Sequence, residues 1–237
     1  MTQILSTSSK DQEDESSPGA NAESAALHQS IHHPSIVSLF SVFSIPSATY
    51  HVLELCPQGT LSDYLSQHSN SHRLPVLSDN QLRGVLKSVA DALAYLRKEL
   101  VLHRNLNPTN LLITNEYRIK LGDFSLAIRL PTVNSTSSIL CGAPNYVSPE
   151  MIARIPYSFP TDLWSLGCVL IACLNGIPPF EASSIAATHE RISRGKYELP
   201  TDTSLHTKDL ISRLLRTDPR RRIDIDDVLS HPFLDPS

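Results

Sequence analysis

The chain has 237 residues, a length that suits one domain or two small ones. Hydrophobic residues make up 41% of it, which is enough for a core, and 20 lysines and arginines stand against 24 aspartates and glutamates. The resulting net charge of -4 excludes the strongly basic surface that recruits nucleic acid or acidic lipid, so neither is expected as a partner.

The four cysteines are Cys56, Cys141, Cys168 and Cys173. No two of them form the CxxC pair that is typical of structural zinc sites, and scattered thiols fit a reducing compartment. The N-terminus lacks the basic-then-apolar pattern of a secretion signal, and the longest apolar stretch, residues 163–174, is too short to span a bilayer. The sequence therefore predicts an intracellular protein, cytoplasmic or nuclear, without membrane contact.

The N-terminal quarter of the chain changes character near residue 24. Residues 1–23 are rich in serine and acidic residues and have no apolar period, which predicts a disordered segment. A short helix is then predicted to end just before Pro34. Two apolar, β-branched runs follow at residues 36–45 and 48–55, and the turn residues between them predict a strand pair.

The rest of the chain is predicted to be mainly helical. Ser78 is a good N-cap for a helix over residues 78–100, where apolar residues recur at helical spacing. Short strands are predicted near residues 111–114 and 119–122, and a long polar loop over residues 125–147. Further helices are predicted over residues 161–175, 183–193, 205–216 and 224–229.

Two motifs stand close together in the middle of the chain. The first is HRNLNPTN at residues 103–110, and the second is DFS at residues 123–125. They resemble the H-R-D-L-x-x-x-N catalytic loop and the D-F-G magnesium loop of protein kinases.

More kinase motifs follow in the order in which the family has them. Residues 141–146, CGAPNY, resemble the loop that faces the substrate peptide, and residues 148–150, SPE, resemble the A-P-E end of the activation segment. Residues 162–167 resemble the central helix of the large lobe, and residues 218–222 and 231–233 resemble the end of the domain. The chain is therefore identified as a member of the Ser/Thr protein kinases. The segments HxxIxHPSI, LCGxPNY and SLGC resemble the Polo-like branch that controls centriole duplication.

The resemblance implies an α+β fold in which a small N-lobe with strands, here residues 24–55, precedes a helical C-lobe, residues 56–237. In the family, a glycine-rich loop and a strand lysine would precede residue 24, where this sequence has no GxGxxG and only Lys10. The N-lobe is therefore expected to be incomplete. The helix glutamate that orients the lysine falls at Ser24, next to Glu23.

Three positions of the catalytic cluster depart from the family pattern. Asn105 replaces the catalytic aspartate, and an amide cannot accept a hydroxyl proton near neutral pH. Asn107 replaces the lysine two residues later, and Ala143 replaces the threonine that bridges them. Because each loss removes a partner of the other two, the resemblance implies that this cluster has lost its chemistry.

The resemblance also assigns positions for ATP and magnesium. The hinge would run from Glu54 to Cys56, Leu112 would form the floor under the adenine, and Asn110 and Asp123 would be the magnesium ligands. The strands that would form the roof are missing, so binding of ATP and magnesium is expected to be weak. A structural acid at Asp123 and a loop cap at Asn110 are the alternatives.

The resemblance gives other residues regulatory or structural roles. Arg104 would bind a phosphate on Thr136, Ser137 or Ser138, with a solvated serine-rich loop as the alternative. Other roles implied by the family are a buried ion pair, a clamp on the catalytic loop, and a stack between the lobes. The residues concerned are Glu150 and Arg222 for the pair, Asp162 for the clamp, and His103, Phe124, His28 and Leu39 for the stack.

Three functions are compatible with these residues. The chain is a pseudokinase that binds or scaffolds proteins, a weak or conditional ATP-dependent Ser/Thr kinase, or a truncated product of a kinase gene. Truncation does not account for Asn105, Asn107 and Ala143, which lie mid-chain, so the first hypothesis is preferred. The exposed edge of the predicted strand pair also predicts self-association or a need for a partner.

Overall fold

The computed structural model describes residues 2–8, 18–46, 48–69 and 75–235. It has the α+β architecture of protein kinases, with a small N-lobe followed by a mainly helical C-lobe. The N-lobe elements are β1 (Thr2–Ser8), α1 (Pro18–Gln29), β2 (Leu39–Ile45) and β3 (Ala48–Glu54). The predicted strand pair is therefore confirmed.

The N-lobe sheet has the order β1-β3-β2, and β3 pairs with both neighbours in antiparallel fashion. β1 pairs along its whole length, from Thr2 opposite Glu54 to Ser8 opposite Ala48. The structure thus differs from the expectation that residues 1–23 lie outside the fold. β1 has only two apolar residues, so its strand depends on backbone pairing with β3, a long-range contact that its own pattern does not reveal.

The segment between α1 and β2 joins the two lobes. The amide of Val37 donates to the carbonyl of Leu121 at 2.9 Å, and the amide of Leu121 donates to the carbonyl of Ser35 at 2.8 Å. Ile36 between them is buried. β2 therefore begins next to the C-lobe and runs away from it toward the turn at Pro46.

The C-lobe follows the predicted order of helices and strands. Its elements are α2 (Leu61–Ser69), α3 (Asp79–Lys98), β4 (Val101–Leu102), β5 (Leu111–Ile113), β6 (Ile119–Leu121), β7 (Ile128–Arg129), α4 (Pro149–Ile152), α5 (Pro160–Asn175), α6 (Ile185–Arg194), α7 (Leu205–Leu214) and α8 (Ile225–Leu229). The predicted helices are confirmed with shifts of a few residues at their ends. The short β4–β7 pair and α4 were not predicted, because they are too short to show a period.

Two helices organise this lobe. Ser78 begins α3 with a capping box, since its Oγ accepts from the amide of Gln81 while the Gln81 side chain accepts from the amide of Ser78. α5 is buried on almost every side, as expected for a helix in the centre of a lobe. Within the residues that the structure describes, no helix combines the length and apolarity needed to cross a membrane.

Candidate active site

The buried carboxylate of Asp162, in the first turn of α5, holds the catalytic loop. Its Oδ2 accepts from the backbone amide of His103 and its Oδ1 from that of Arg104, each at 2.9 Å. Burial raises the pKa of Asp162, while the nearby His103 opposes this shift. Two hydrogen bonds from consecutive amides fix the backbone of the loop where the catalytic side chain begins.

The side chain of Asn105 links two neighbours through a neutral amide. Its Nδ2 donates to Oδ2 of Asp123 at 2.9 Å, and its Oδ1 accepts from Nδ2 of Asn107 at 3.2 Å. A carboxylate at this position has no proton to donate, so it would face the Asp123 carboxylate as a like charge. The amide therefore suits the contact that the structure shows, although it cannot act as a base.

Asn107 is buried and acts as a cap for the loop. Its Oδ1 accepts from the amide of Thr109 at 2.9 Å, at the start of a single 3₁₀ turn over Pro108–Asn110, and its Nδ2 donates to the Asn105 carbonyl at 3.0 Å. A lysine at this position would offer no acceptor for the Thr109 amide. The position that the family fills with a cation thus stabilises the loop here.

Asn110 and Asp123 are the two residues that could hold magnesium. Nδ2 of Asn110 donates to the Asn105 carbonyl at 2.9 Å, and its Oδ1 accepts a long 3.5 Å contact from the Thr109 hydroxyl that a cation could replace. Both oxygens of Asp123 already accept hydrogen bonds, Oδ2 from Asn105 and Oδ1 from the amide of Ser125 at 3.2 Å. Magnesium at Asp123 would therefore compete with the Asn105 donor.

On the phosphate side of the site, strand β1 has no positively charged residue. β1 lies beside β3, the strand that leads into the hinge, and its sequence, TQILSTS, contains no lysine or arginine. Lys10 lies outside the described residues. In the part of the chain that is described, no three His, Cys, Asp or Glu side chains are grouped so as to hold a metal ion. Among the described residues, β1 thus offers no lysine to the phosphates, and both magnesium positions, Asn110 and Asp123, already take part in hydrogen bonds within the loop.

The hinge is fastened to the C-lobe by an ion pair that the sequence motifs did not reveal. Oε1 of Glu54 lies 2.6 Å from Nζ of Lys120 on β6, and its Oε2 accepts from the amide of Ser38 at 3.2 Å. Cys56 is buried, and burial raises the pKa of its thiol, helped by Glu54. The Glu54 side chain therefore contributes to the contact between lobes, and only the hinge backbone is left to meet an adenine.

Leu112, the predicted floor of the adenine site, lies half-buried on β5. Its Cδ1 packs so closely on Gly122 that a Cβ at that glycine would lie 2.7 Å from it. Ser125, which replaces the glycine of D-F-G, is not among the described residues with positive φ, whereas Asp123 has φ 58°. A side chain at residue 125 thus causes no backbone strain in this conformation.

Three aromatic rings connect α1 to the catalytic loop. The rings of His28 and Phe124 are stacked with centroids 4.4 Å apart, and Phe124 meets His103 edge-on at 4.9 Å. Nε2 of His28 lies 2.8 Å from the carbonyl oxygen of Val37, and burial lowers the pKa of His28 to about 4. Burial likewise lowers the pKa of His103. Both imidazoles are therefore neutral parts of the packing near pH 7.

The activation segment presents one of the three candidate hydroxyls, that of Ser137, to Arg104. Nη1 of Arg104 lies 3.5 Å from Oγ of Ser137, and Ser137 forms a two-way backbone bridge with Tyr157. Thr136 and Ser138 are exposed on either side of it. Neighbouring residues of an extended segment point in opposite directions, so only one of the three hydroxyls can face Arg104.

The substrate-facing loop lies directly on the catalytic loop. Gly142 has φ 95°, and a Cβ there would come within 2.4 Å of the Arg104 carbonyl oxygen. Only glycine fits so close an approach with a left-handed backbone. The next residue, Ala143, is half-buried and has no hydroxyl to reach Asn105 or Asn107. The loop thus keeps its position but lacks the bridging group.

A fully buried ion pair joins the end of the activation segment to the C-terminal part of the lobe. Nη1 and Nη2 of Arg222 lie 2.7 and 3.0 Å from Oε1 and Oε2 of Glu150, in a bidentate arrangement. The two side chains are 0% and 1% exposed. The guanidinium also donates to the carbonyl of Pro160 and lies over the ring of Trp164. All these contacts fix α4 against α5.

Comparison with known proteins agrees with the motifs. The protein kinase domain model matches residues 4–234. The serine/threonine-protein kinase PLK4 of Aedes aegypti is 37% identical over 212 residues, which are 90% of this chain and 27% of that protein. The PLK4 proteins of Drosophila persimilis and Drosophila melanogaster are 36% and 35% identical over 208 residues, or 88% of this chain and 26% of theirs.

The chain spans about a quarter of the length of these curated relatives. The family model covers nearly the whole sequence, and the site described above occupies the positions at which the family has its catalytic loop, magnesium loop and activation segment. The chain therefore belongs to the protein kinase family, and its domain is similar to those of the Polo-like Ser/Thr kinases.

Proposed function

We propose that this chain is a pseudokinase that acts by binding or scaffolding other proteins, without transferring phosphate. The observation that carries the proposal is the 2.9 Å hydrogen bond from Nδ2 of Asn105 to Oδ2 of Asp123. In a kinase these two positions act separately, one on the substrate hydroxyl and the other on magnesium. In this chain a neutral amide joins them to each other.

The phosphate side of the site supports the same proposal. β1 offers no cation to the phosphates, and the side chain of Glu54 is engaged with Lys120. Phosphoryl transfer depends on positioning and charge neutralisation by both sides at once. A site with a base missing on one side and a lysine missing on the other is therefore unsuited to transfer.

The proposed partners are proteins in an intracellular setting. The moderate negative charge of the chain favours neither nucleic acid nor acidic lipid. The four cysteines are free thiols, which supports a reducing compartment.

A second candidate, a weak or conditional Ser/Thr kinase, is favoured by the stacked rings. His28, Phe124 and His103 connect α1 with the catalytic loop, and Asn110 leaves one oxygen available to a cation. A domain that keeps these contacts could still position ATP if another molecule supplied the positive charge of the missing strand lysine.

Thermal unfolding with increasing ATP and magnesium tests the two candidates. A ligand that binds the folded state raises the midpoint by mass action, so the pseudokinase proposal predicts no saturable increase at micromolar ATP. The matched control is Asp123→Ala, which removes the magnesium carboxylate and should give the same titration as the wild type. A saturable increase that disappears in Asp123→Ala would reject the proposal in favour of the conditional kinase.

A further inference from the structure

β2 is one of the two outer strands of the N-lobe sheet, and it has unusual side chains for an edge. Edge strands usually carry charges, lysine above all, that prevent pairing with other chains. Residues 34–50, which include all of β2, contain no Asp, Glu, Lys or Arg. Three large apolar side chains on β2 are instead exposed to solvent: Phe40 at 57%, Phe43 at 47% and Ile45 at 46%.

We infer that β2 is the contact strand of a symmetric dimer, in which two copies of this chain join their N-lobe sheets edge to edge. The sequence of β2, LFSVFSI, is nearly self-complementary when it pairs with itself in antiparallel fashion about Val42. Leu39 of one copy then lies opposite Ile45 of the other, and Ser41 lies opposite Phe43. A two-fold axis requires this kind of self-matching surface.

The aromatic side chains give this pairing a specific register. The rings of Phe43 and Tyr50 are already stacked within one chain, with centroids 5.1 Å apart and planes 11° apart. In the proposed register the two copies of Phe43 are diagonal neighbours across the new strand pair, roughly 7–8 Å apart and within reach of aromatic contact. Four rings would then form one row, and the exposed aromatic surface would be buried.

The positions of the lobes allow this dimer. β2 begins beside the C-lobe, where Val37 donates to Leu121, and ends at the turn near Pro46. The two-fold axis reverses the strand direction, so the two C-lobes lie at opposite ends of the joined sheet. The β-bulge between Leu39 and Ser41 lies to one side of the central pairs.

The absence of charge also indicates the partner. An uncharged strand offers nothing to attract an acidic or basic segment, whereas its own reversed copy places no charge opposite it and sets Leu39 against Ile45 and Val42 against Val42. The inference does not rest on the loss of phosphoryl transfer, because it is argued from the composition, exposure and pairing of β2 alone.

Sedimentation of the full chain with charge-swapped variants at the axis tests the inference. We expect the wild type to form a dimer at micromolar concentration, and Val42→Lys and Val42→Glu each to be monomeric, because two like charges meet on the axis. Mixing the two variants should restore a dimer through opposite charges. Leu205→Lys, on a residue that is 82% exposed on α7, is the matched control and should remain dimeric.

Disulfide cross-linking checks the register and does not depend on a charge at residue 42. Cysteines at Val42→Cys would face each other with Cα atoms about 4.5–5.5 Å apart, within the range of a disulfide. Cysteines at Ser44→Cys would lie roughly 13 Å apart and should not link. A monomeric wild type, a dimer unaffected by Val42→Lys, growth beyond a dimer, or equal cross-linking at both positions would each overturn the inference.

Discussion

The substrate side of the catalytic loop and the frame beneath it, the buried charged residues of the C-lobe, differ in how far they match the kinase pattern. The frame has its buried charges in place, with Arg222 paired to Glu150 and Asp162 bonded to two loop amides. In the catalytic loop above it, Asn105 and Asn107 form a neutral cluster instead. A buried charge that loses its partner destabilises the fold strongly, whereas a catalytic side chain can be replaced at little cost to folding by one that makes its own hydrogen bonds. Stability therefore constrains the frame and leaves the chemistry free to change.

Breaking the buried pair between Arg222 and Glu150 should lower the stability of the chain more than any other change proposed here. Arg222→Ala leaves the Glu150 carboxylate buried without its partner, so we expect the free energy of unfolding to fall by about 3–5 kcal/mol in urea titrations. The matched control is Arg220→Ala, which breaks an exposed pair with Asp218 two residues away and should leave the midpoint unchanged. Equal midpoints for the two variants would show that the frame is not held by this pair.

The stack between the lobes should make the chain sensitive to acid. His28 has its pKa lowered to about 4 in the folded chain, against an ordinary value of 6.5 in the unfolded chain. The unfolded state therefore binds the proton first, and stability that is fully present above pH 6.5 is lost as pH falls toward 4. From the size of the shift, the loss at His28 is about 3 kcal/mol.

His28→Leu isolates this contribution because leucine does not titrate. We expect the free energy of unfolding of the wild type to decline more steeply than that of His28→Leu between pH 6.5 and 4. Other titrating groups contribute to both curves, so only the difference between the two curves counts. Parallel curves would mean that His28 is not buried in the folded chain.

A carboxylate at residue 105 should lower the free energy of unfolding, by a smaller amount than the changes above. Asn105→Asp exchanges the hydrogen bond to Asp123 for repulsion between two carboxylates, so we expect a loss of about 1–2 kcal/mol. Asn105→Ala, which removes the amide without adding charge, should lose less. Urea unfolding of both variants measures the difference, and a more stable Asn105→Asp would contradict the role given to the Asn105 amide.

The sequence alone predicts structure that depends on local pattern, but it does not predict long-range contacts. Motif order was enough to predict the kinase fold, and the N-cap residue with apolar periodicity was enough to predict the helix after Ser78, because these depend on local pattern and fixed spacing. β1 was missed, since its pairing with β3 is encoded in neither strand alone. The motifs also could not predict that Lys120 binds Glu54, because these residues lie far apart in the chain and belong to no common motif.

The activation segment and the catalytic loop show the same limit at finer scale. The sequence offered three neighbouring hydroxyls for Arg104, and the backbone bridge with Tyr157 decides that Ser137 is the one that faces it. The asparagine at residue 105, where the family has its catalytic aspartate, indicated that this side chain cannot act as a base. The hydrogen bond from its amide to Asp123 depends on side-chain geometry, which the motifs do not encode.

The central proposal is that this chain does not transfer phosphate, and one assay tests it most directly. The triple variant Asn105→Asp, Asn107→Lys, Ala143→Thr would rebuild base, lysine and bridging hydroxyl on the substrate side. It adds no lysine or glycine-rich loop on the phosphate side, on which transfer also depends. We predict that radiolabelled transfer from ATP to a generic Ser/Thr substrate stays at background. Transfer by the triple variant that disappears when Asp123→Ala is added would contradict the account.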